Sequence, residues 1–189
     1  MKHALWLGAL VLFFAGYTIR AEEAALDPGL VAEIFDMGGA VEDFPTIEKD
    51  KKATVKRVDK DINVDSSGDN WPGTQLGDHF YIRWTGVLKV PKDGKYTFYC
   101  ESDDGSRMSI DGKQVVDCGG LHGMEERGGD GVELKAGDHE IKVEFFENEG
   151  DAGCKASWEG AAELSSQRGT GHRSGRKPAR PTGAEVDRK

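Results

Sequence analysis

Apolar and polar residues alternate from His79 to Val90. Phe80, Ile82, Trp84, Leu88 and Val90 fall on one side, and Arg83, Thr85 and Lys89 on the other. A period of two predicts a half-buried strand, because successive side chains of an extended chain point to opposite faces. Pro91-Lys92-Asp93-Gly94 supplies a turn, and Tyr96, Phe98 and Cys100 then alternate with Thr97, Tyr99 and Glu101 in a second strand. Met108 and Ile110 run into Asp111-Gly112, with Val115 and Val116 beyond. An Asp-Gly pair between two short strand-like runs is a hairpin signal, since both turn positions need positive φ.

After a Gly-rich stretch, Val132 and Leu134 precede a turn at Lys135-Ala136-Gly137. His139, Ile141, Val143 and Phe145 form one face of a long strand, and Ala156 and Trp158 close the pattern. Leu30 to Phe35 and Ala53 to Val58 read as two further strands. No amphipathic helix of ordinary length is visible. Closely spaced strands with Gly-rich turns predict an all-β fold, an antiparallel β-sandwich or barrel.

The two ends differ from this middle. Lys2 and His3 head an apolar run from Ala4 to Ala15, and Ala21 offers a small residue for a peptidase. The run is short against the roughly 20 residues of a bilayer-spanning helix, so residues 1–21 read as a cleaved export signal rather than an anchor. From Ala161 to Lys189 the apolar residues nearly vanish, and this segment reads as a disordered basic tail. One domain over residues 27–160 remains. The chain of 189 residues has a net charge of −9. That total hides a body at −15, because the first 21 residues carry +2 and the last 29 carry +4. Such a body repels phosphate, which excludes nucleic acid as the domain's partner, and it suits cations.

The candidate chemistry sits in Glu101-Ser102-Asp103-Asp104-Gly105-Ser106-Arg107. Calcium takes six to eight oxygens, often carboxylates of one loop with carbonyls of another. Neighbouring aspartates on an extended chain point apart, so both can meet one ion only if the backbone bends between them. The plainer reading of the spacing is a turn at Asp104-Gly105 capped by Asp103. Asp59 to Asp65 has acids at alternate positions but lacks the glycine and glutamate of a helix-loop-helix calcium loop. His79, His122 and His139 are dispersed and read as hydrogen-bonding residues. Trp84 and Trp158 fit a core face. Trp71 lies in a loop, where it can stack on a sugar or pack over a sheet edge. Arg107 is placed to ion-pair with the acidic pair. Adjacent carboxylates cannot straddle a glycosidic bond at the ~5 to 9 Å that hydrolysis needs, and no nucleophile motif occurs. The chain is therefore not expected to be an enzyme.

Trp84-Thr85-Gly86, Gly94-Lys95-Tyr96-Thr97-Phe98, Ser102 to Arg107, Ile110-Asp111-Gly112, Val115-Val116-Asp117, Leu134 to Gly137 and Trp158 follow one another in an order that resembles the protective-antigen-type domain family. The likeness covers roughly Asp27 to Gly160 and implies a β-sandwich. In its sugar-binding members an Asp-Asp pair joined by a cis peptide holds calcium, which bridges to sugar hydroxyls; the matching residues are Asp103 and Asp104. An asparagine after the long late strand matches Asn148, and carbonyl ligands would fall near Gly150 and Ala152. Where the adhesins carry an aromatic residue in this loop, this chain has Glu149, Gly150 and Asp151. The carboxylates of Glu149 and Asp151 either strengthen the cation site or keep the loop soluble.

The resemblance thus implies a calcium-dependent, lectin-like carbohydrate-binding module that is secreted, periplasmic or on the cell surface. Its partner would be a glycan or polysaccharide, with no membrane span left after signal cleavage. The alternative is a structural or protein-interaction domain without a sugar site, whose partner is a cell-envelope protein. Three cysteines, Cys100, Cys118 and Cys154, leave one thiol over in any disulfide. Which two pair is open from sequence; Cys118 and Cys154 both border the site loops, and a bridge between them is the expectation carried forward.

Overall fold

A computed structural model describes residues 28–160, which form two antiparallel sheets and no helix. The export-signal and tail readings lie outside these residues. In chain order the strands are β1 (Leu30–Asp36), β2 (Val55–Asp59), β3 (Asn63–Ser67), β4 (Phe80–Val90), β5 (Gly94–Asp103), β6 (Ser106–Ile110), β7 (Lys113–Cys118), β8 (Glu125–Gly128), β9 (Val132–Leu134), β10 (Gly137–Glu147) and β11 (Ala152–Glu159). One sheet runs β2-β1-β4-β10-β6-β7; the other runs β3-β11-β5-β8, with β9 also paired to β5. The all-β sandwich expected from the alternation is the fold observed. None of the described segments is a helix long and apolar enough to cross a membrane.

The predicted faces meet in the middle. Ile82 and Trp84 of β4, Val143 and Phe145 of β10, and Tyr96 and Phe98 of β5 are all at most 1% exposed and share one core. Trp71 joins them from its loop, packed against Phe80, Trp84 and Phe145. Trp158 departs from its core assignment: it is 40% exposed at the end of β11, with its ring against Tyr96.

A second, smaller core lies on the outer face of the six-stranded sheet. Phe35, Tyr81 and Phe146, on the faces that alternation assigns to solvent, are roofed by Val41, Phe44 and Ile47 from the long β1–β2 connection. That roof explains why Glu144 is buried. Burial pushes its carboxyl up, but hydrogen bonds from Arg107, Tyr81 and Lys142 outweigh it and hold the group down at about 2. Arg107 is fully committed here, bidentate to Glu144 and stacked on the Phe44 ring. It does not pair with Asp103 or Asp104 as the sequence spacing suggests, because on β6 its side chain faces the outer core.

The Asp111-Gly112 hairpin forms as predicted, with φ of 48° and 75°. It is tied to β10 by His139, whose Nδ1 lies 2.6 Å from an Asp111 oxygen and whose Nε2 faces the Lys135 carbonyl. Two acceptors favour the imidazolium, so Asp111 and then Lys135 raise the His139 pKa above 6.5, while His139 depresses that of Asp111. The histidine's contribution to stability is complete below its unfolded pKa and fades as pH rises through the raised folded value. The stability gap between wild type and His139→Gln is thus expected to be widest near pH ~5.5 and to shrink by pH ~9. Urea titrations at both ends check this; a gap that grows with pH would rule the charged pair out.

Candidate functional site

Asp103 ends β5 and Ser106 begins β6, so the Asp103-Asp104 pair sits where the chain crosses from one sheet to the other. The peptide bond between the two is cis. Gly105 follows, but not as the turn residue expected. A Cβ there would collide with the Phe146 ring, and the Gly105 carbonyl accepts the Phe146 N–H at 2.9 Å. Glycine is required for close approach, which docks the pair against the end of β10.

Asp104 is 7% exposed and ties two loops together. Its Oδ1 accepts the His122 N–H at 2.9 Å, and its Oδ2 accepts the Asn148 N–H at 3.0 Å. Its own N–H donates to Glu147 Oε2 at 3.1 Å. Asp103 lies further out and accepts the Ser66 hydroxyl at 2.8 Å. Burial first, and then the charges of Asp104 and Asp151, raise the Asp103 pKa despite that hydrogen bond. Asn148 lies beside the pair through its backbone. Its side-chain Oδ1 accepts the Val41 N–H of the β1–β2 connection at 2.9 Å, and its carbonyl accepts the His79 N–H.

The remaining expected residues are spread around this centre. Gly150 has φ of 113° and donates its N–H to Asp78. Ala152 is not in the loop but heads β11, paired with Ser67 of β3. Asp151 is exposed, close enough to act on Asp103. Glu149 turns away from the pair to His79 Nε2 at 3.3 Å. The three cysteines are buried free thiols, so the expected Cys118–Cys154 bridge is absent. Cys118 faces Ser106 within the six-stranded sheet and Cys154 faces Ser102 in the other, so the two stand on opposite walls of the core. The Ser102 and Ser106 hydroxyls meet between these walls, 2.7 Å apart, and Ser102 Oγ lies 3.9 Å from Cys118 Sγ, so a hydroxyl rather than the Cys154 thiol faces Cys118.

The residue that the sequence reading missed is Glu147, which is 0% exposed. Burial and then the Asp104 charge push its carboxyl up to about 8, outweighing the Asp104 amide bond. A signal was present: extending the face His139, Ile141, Val143, Phe145 by two places puts a carboxylate on the core side.

The donor set fits calcium in kind: two carboxylates, a side-chain amide and nearby backbone carbonyls, all hard oxygens. Among the described residues no three His, Cys, Asp or Glu side chains are grouped as metal ligands, so a cation here would depend on the amide and carbonyls as well. The Asp104 oxygens and Asn148 Oδ1 each hold one N–H, and a carbonyl-type oxygen keeps a second lone pair. Burial first, and then the neighbouring carboxylates, raise the Asp103 and Glu147 pKa values, and a cation here would favour their ionised forms.

The family model described as the PA14 domain matches residues 26–171. The anti-sigma-I factor RsgI3 of Acetivibrio thermocellus is 32% identical over 104 residues, covering 54% of this chain and 16% of that protein. An anti-sigma factor domain-containing protein from Clostridium clariflavum has the same fold at a TM-score of 0.56 and 31% identity, over 71% of this chain and 42% of that one. A PA14 sugar-binding domain from an RTX adhesin matches at a TM-score of 0.59 and 20% identity, over 70% of this chain and 90% of that one. The chain thus spans about a sixth of the curated relative's length.

Proposed function

The chain belongs to the PA14 domain family, and from that premise we propose that its folded part is a calcium-dependent carbohydrate-binding module working outside the cell. The observation that carries the reading is the Asp103-Asp104 pair, gathered with Asn148 and the His122 loop at one end of the sandwich. Asp103, Asp104 and Asn148 would hold the ion, with backbone carbonyls of the 148–152 segment completing the set. Calcium there would supply a positive centre with coordination positions left for vicinal sugar hydroxyls. The protein's part is to fix the carboxylates beforehand: three backbone hydrogen bonds hold Asp104 before any ligand arrives. The sugar-binding domain of the RTX adhesin supports the ligand class through its shared fold.

A second reading is favoured by one contact. The Val41 N–H satisfies Asn148 Oδ1 without an ion, as it would in an envelope domain that uses the scaffold for protein contact. The anti-sigma factor relatives, of which the matched domain is only a part, suit either reading. Calorimetry with calcium chloride separates the two. Wild type is expected to bind calcium at micromolar to millimolar concentration, and a glycan array is expected to give signals that a chelator abolishes. Absence of calcium uptake at millimolar concentration would leave the protein-contact reading.

A further inference from the structure

One loop separates the Asp103-Asp104 pair from a cleft. The His122 N–H holds Asp104 on one side, and Gly119 and Gly120, just before it in the chain, line a cleft of about 530 Å³ beside the outer core. Between them stands Leu121, an apolar side chain left 52% exposed on the ridge between two polar places. The cleft walls bring together Glu42 and Asp43 of the β1–β2 connection, Gln114 and Asp117 of β7, and Arg127 of β8. Its arginines are already paired, Arg107 with Glu144 and Arg127 with Glu125 at 2.9 Å. The carboxylates of Glu42, Asp43 and Asp117 therefore leave the lining negative. Among the described residues the Glu42 and Gln114 side chains have no hydrogen-bond or ion-pair partner.

The size falls within the roughly 300–1,000 Å³ of small-ligand sites, but polar walls do not suit an apolar ligand. They suit hydroxyls, which donate to carboxylates and both donate to and accept from an amide. The surplus negative charge repels an acidic ligand. We propose that the cleft is a second sugar subsite. An ion at Asp103-Asp104 holds one unit of a glycan, Leu121 packs against its C–H face where it crosses the ridge, and Glu42, Gln114 and Asp117 take the next unit. The ligand class is thereby narrowed to an oligosaccharide without carboxylate or sulfate groups. Leu121 also supplies the apolar contact that Glu149, Gly150 and Asp151 do not. The inference rests on the calcium reading above and names its ligand class.

A glycan array in calcium chloride tests this, printed with monosaccharides and oligosaccharides in neutral, amino-bearing and uronate- or sialate-bearing forms. Wild type is expected to give signals that a chelator abolishes, stronger for oligosaccharides than for their single units and absent from the acidic glycans. Leu121→Ala is expected to weaken the oligosaccharide signals about tenfold, as for the loss of one apolar contact. The double variant Glu42→Gln with Asp117→Asn keeps the shape of the cleft and removes two charges, so it is expected to admit acidic glycans. Calorimetry with calcium chloride is expected to show calcium uptake in both, because none of the three residues supplies an ion ligand. Equal signals for single units and oligosaccharides would overturn the subsite and leave the calcium reading standing. So would acidic glycans bound by wild type as well as neutral ones, or variants with the wild-type pattern. A wild type that takes up no calcium would overturn both.

Discussion

Asp104→Ala is expected to abolish calcium binding and to lower the stability of the ion-free domain by about 2–4 kcal/mol. The two effects share one cause. The Asp104 oxygens accept the backbone N–H groups of His122 and Asn148, so truncation removes ligand atoms and strands two donors in a nearly dry site. Each stranded donor costs about 1–3 kcal/mol, partly recovered if water enters. Because both properties fall together, this variant alone cannot separate a ligand from a structural clasp. Asp103→Asn can. Among the described residues Asp103 accepts only the Ser66 hydroxyl, which an amide oxygen can also accept, and the substitution relieves its repulsion from Asp104 and Asp151. It is expected to weaken calcium by about 100-fold or more while moving stability by less than about 1 kcal/mol. Calorimetry with calcium chloride and urea titration in chelator give both numbers. Wild-type calcium affinity in Asp103→Asn would remove the outer carboxylate from the site and with it the proposed function.

The frame of the sandwich was legible because β4, β5 and β10 alternate over ten or more residues and sit mid-sheet, where one face must be apolar. The strands that escaped notice, β3 and β8, read Asn-Val-Asp-Ser-Ser and Glu-Glu-Arg-Gly. They lie at the edges of the smaller sheet, where pairing is imposed by the neighbouring strand and needs no buried face. The outer core escaped for a related reason. Phe35, Tyr81 and Phe146 look like stray apolar residues on solvent faces until the β1–β2 connection, which has no periodicity of its own, folds over them. At the site, the family resemblance pointed to Asp103, Asp104 and Asn148, but not to what each side chain faces. That Asn148 Oδ1 meets Val41, 107 residues away, is a tertiary fact with no local signal. Glu147 differs: its place on the apolar face of β10 announced a buried carboxylate, and only its partner was hidden.

Trp71→Ala is expected to cost about 3–5 kcal/mol, a large share of the whole stability of a domain this size. The residue lies in a loop, and a loop tryptophan beside a proposed glycan site invites a stacking role. Its surroundings decide otherwise. It is 2% exposed, with ring centroids 5.2 Å from Phe145, 5.5 Å from Phe80 and 6.3 Å from Trp84. The loop is closed to hold it there: the Trp71 N–H donates to the Leu76 carbonyl, and its own carbonyl accepts both the N–H and the hydroxyl of Thr74. Alanine would open a cavity among three rings from β4 and β10, long strands with little freedom to collapse inward. The indole carries one liability, a buried Nε1–H with no acceptor among the described residues. Trp71→Phe removes that donor and keeps most of the ring, so its cost is expected to be about 1–2 kcal/mol, well below that of alanine. Urea unfolding with an unchanged m-value would measure both. Were Trp71 a sugar-stacking residue, alanine would leave the midpoint within about 0.5 kcal/mol of wild type and strike glycan affinity instead. Its ring contacts predict the reverse, a stability loss with calcium affinity preserved in the folded fraction.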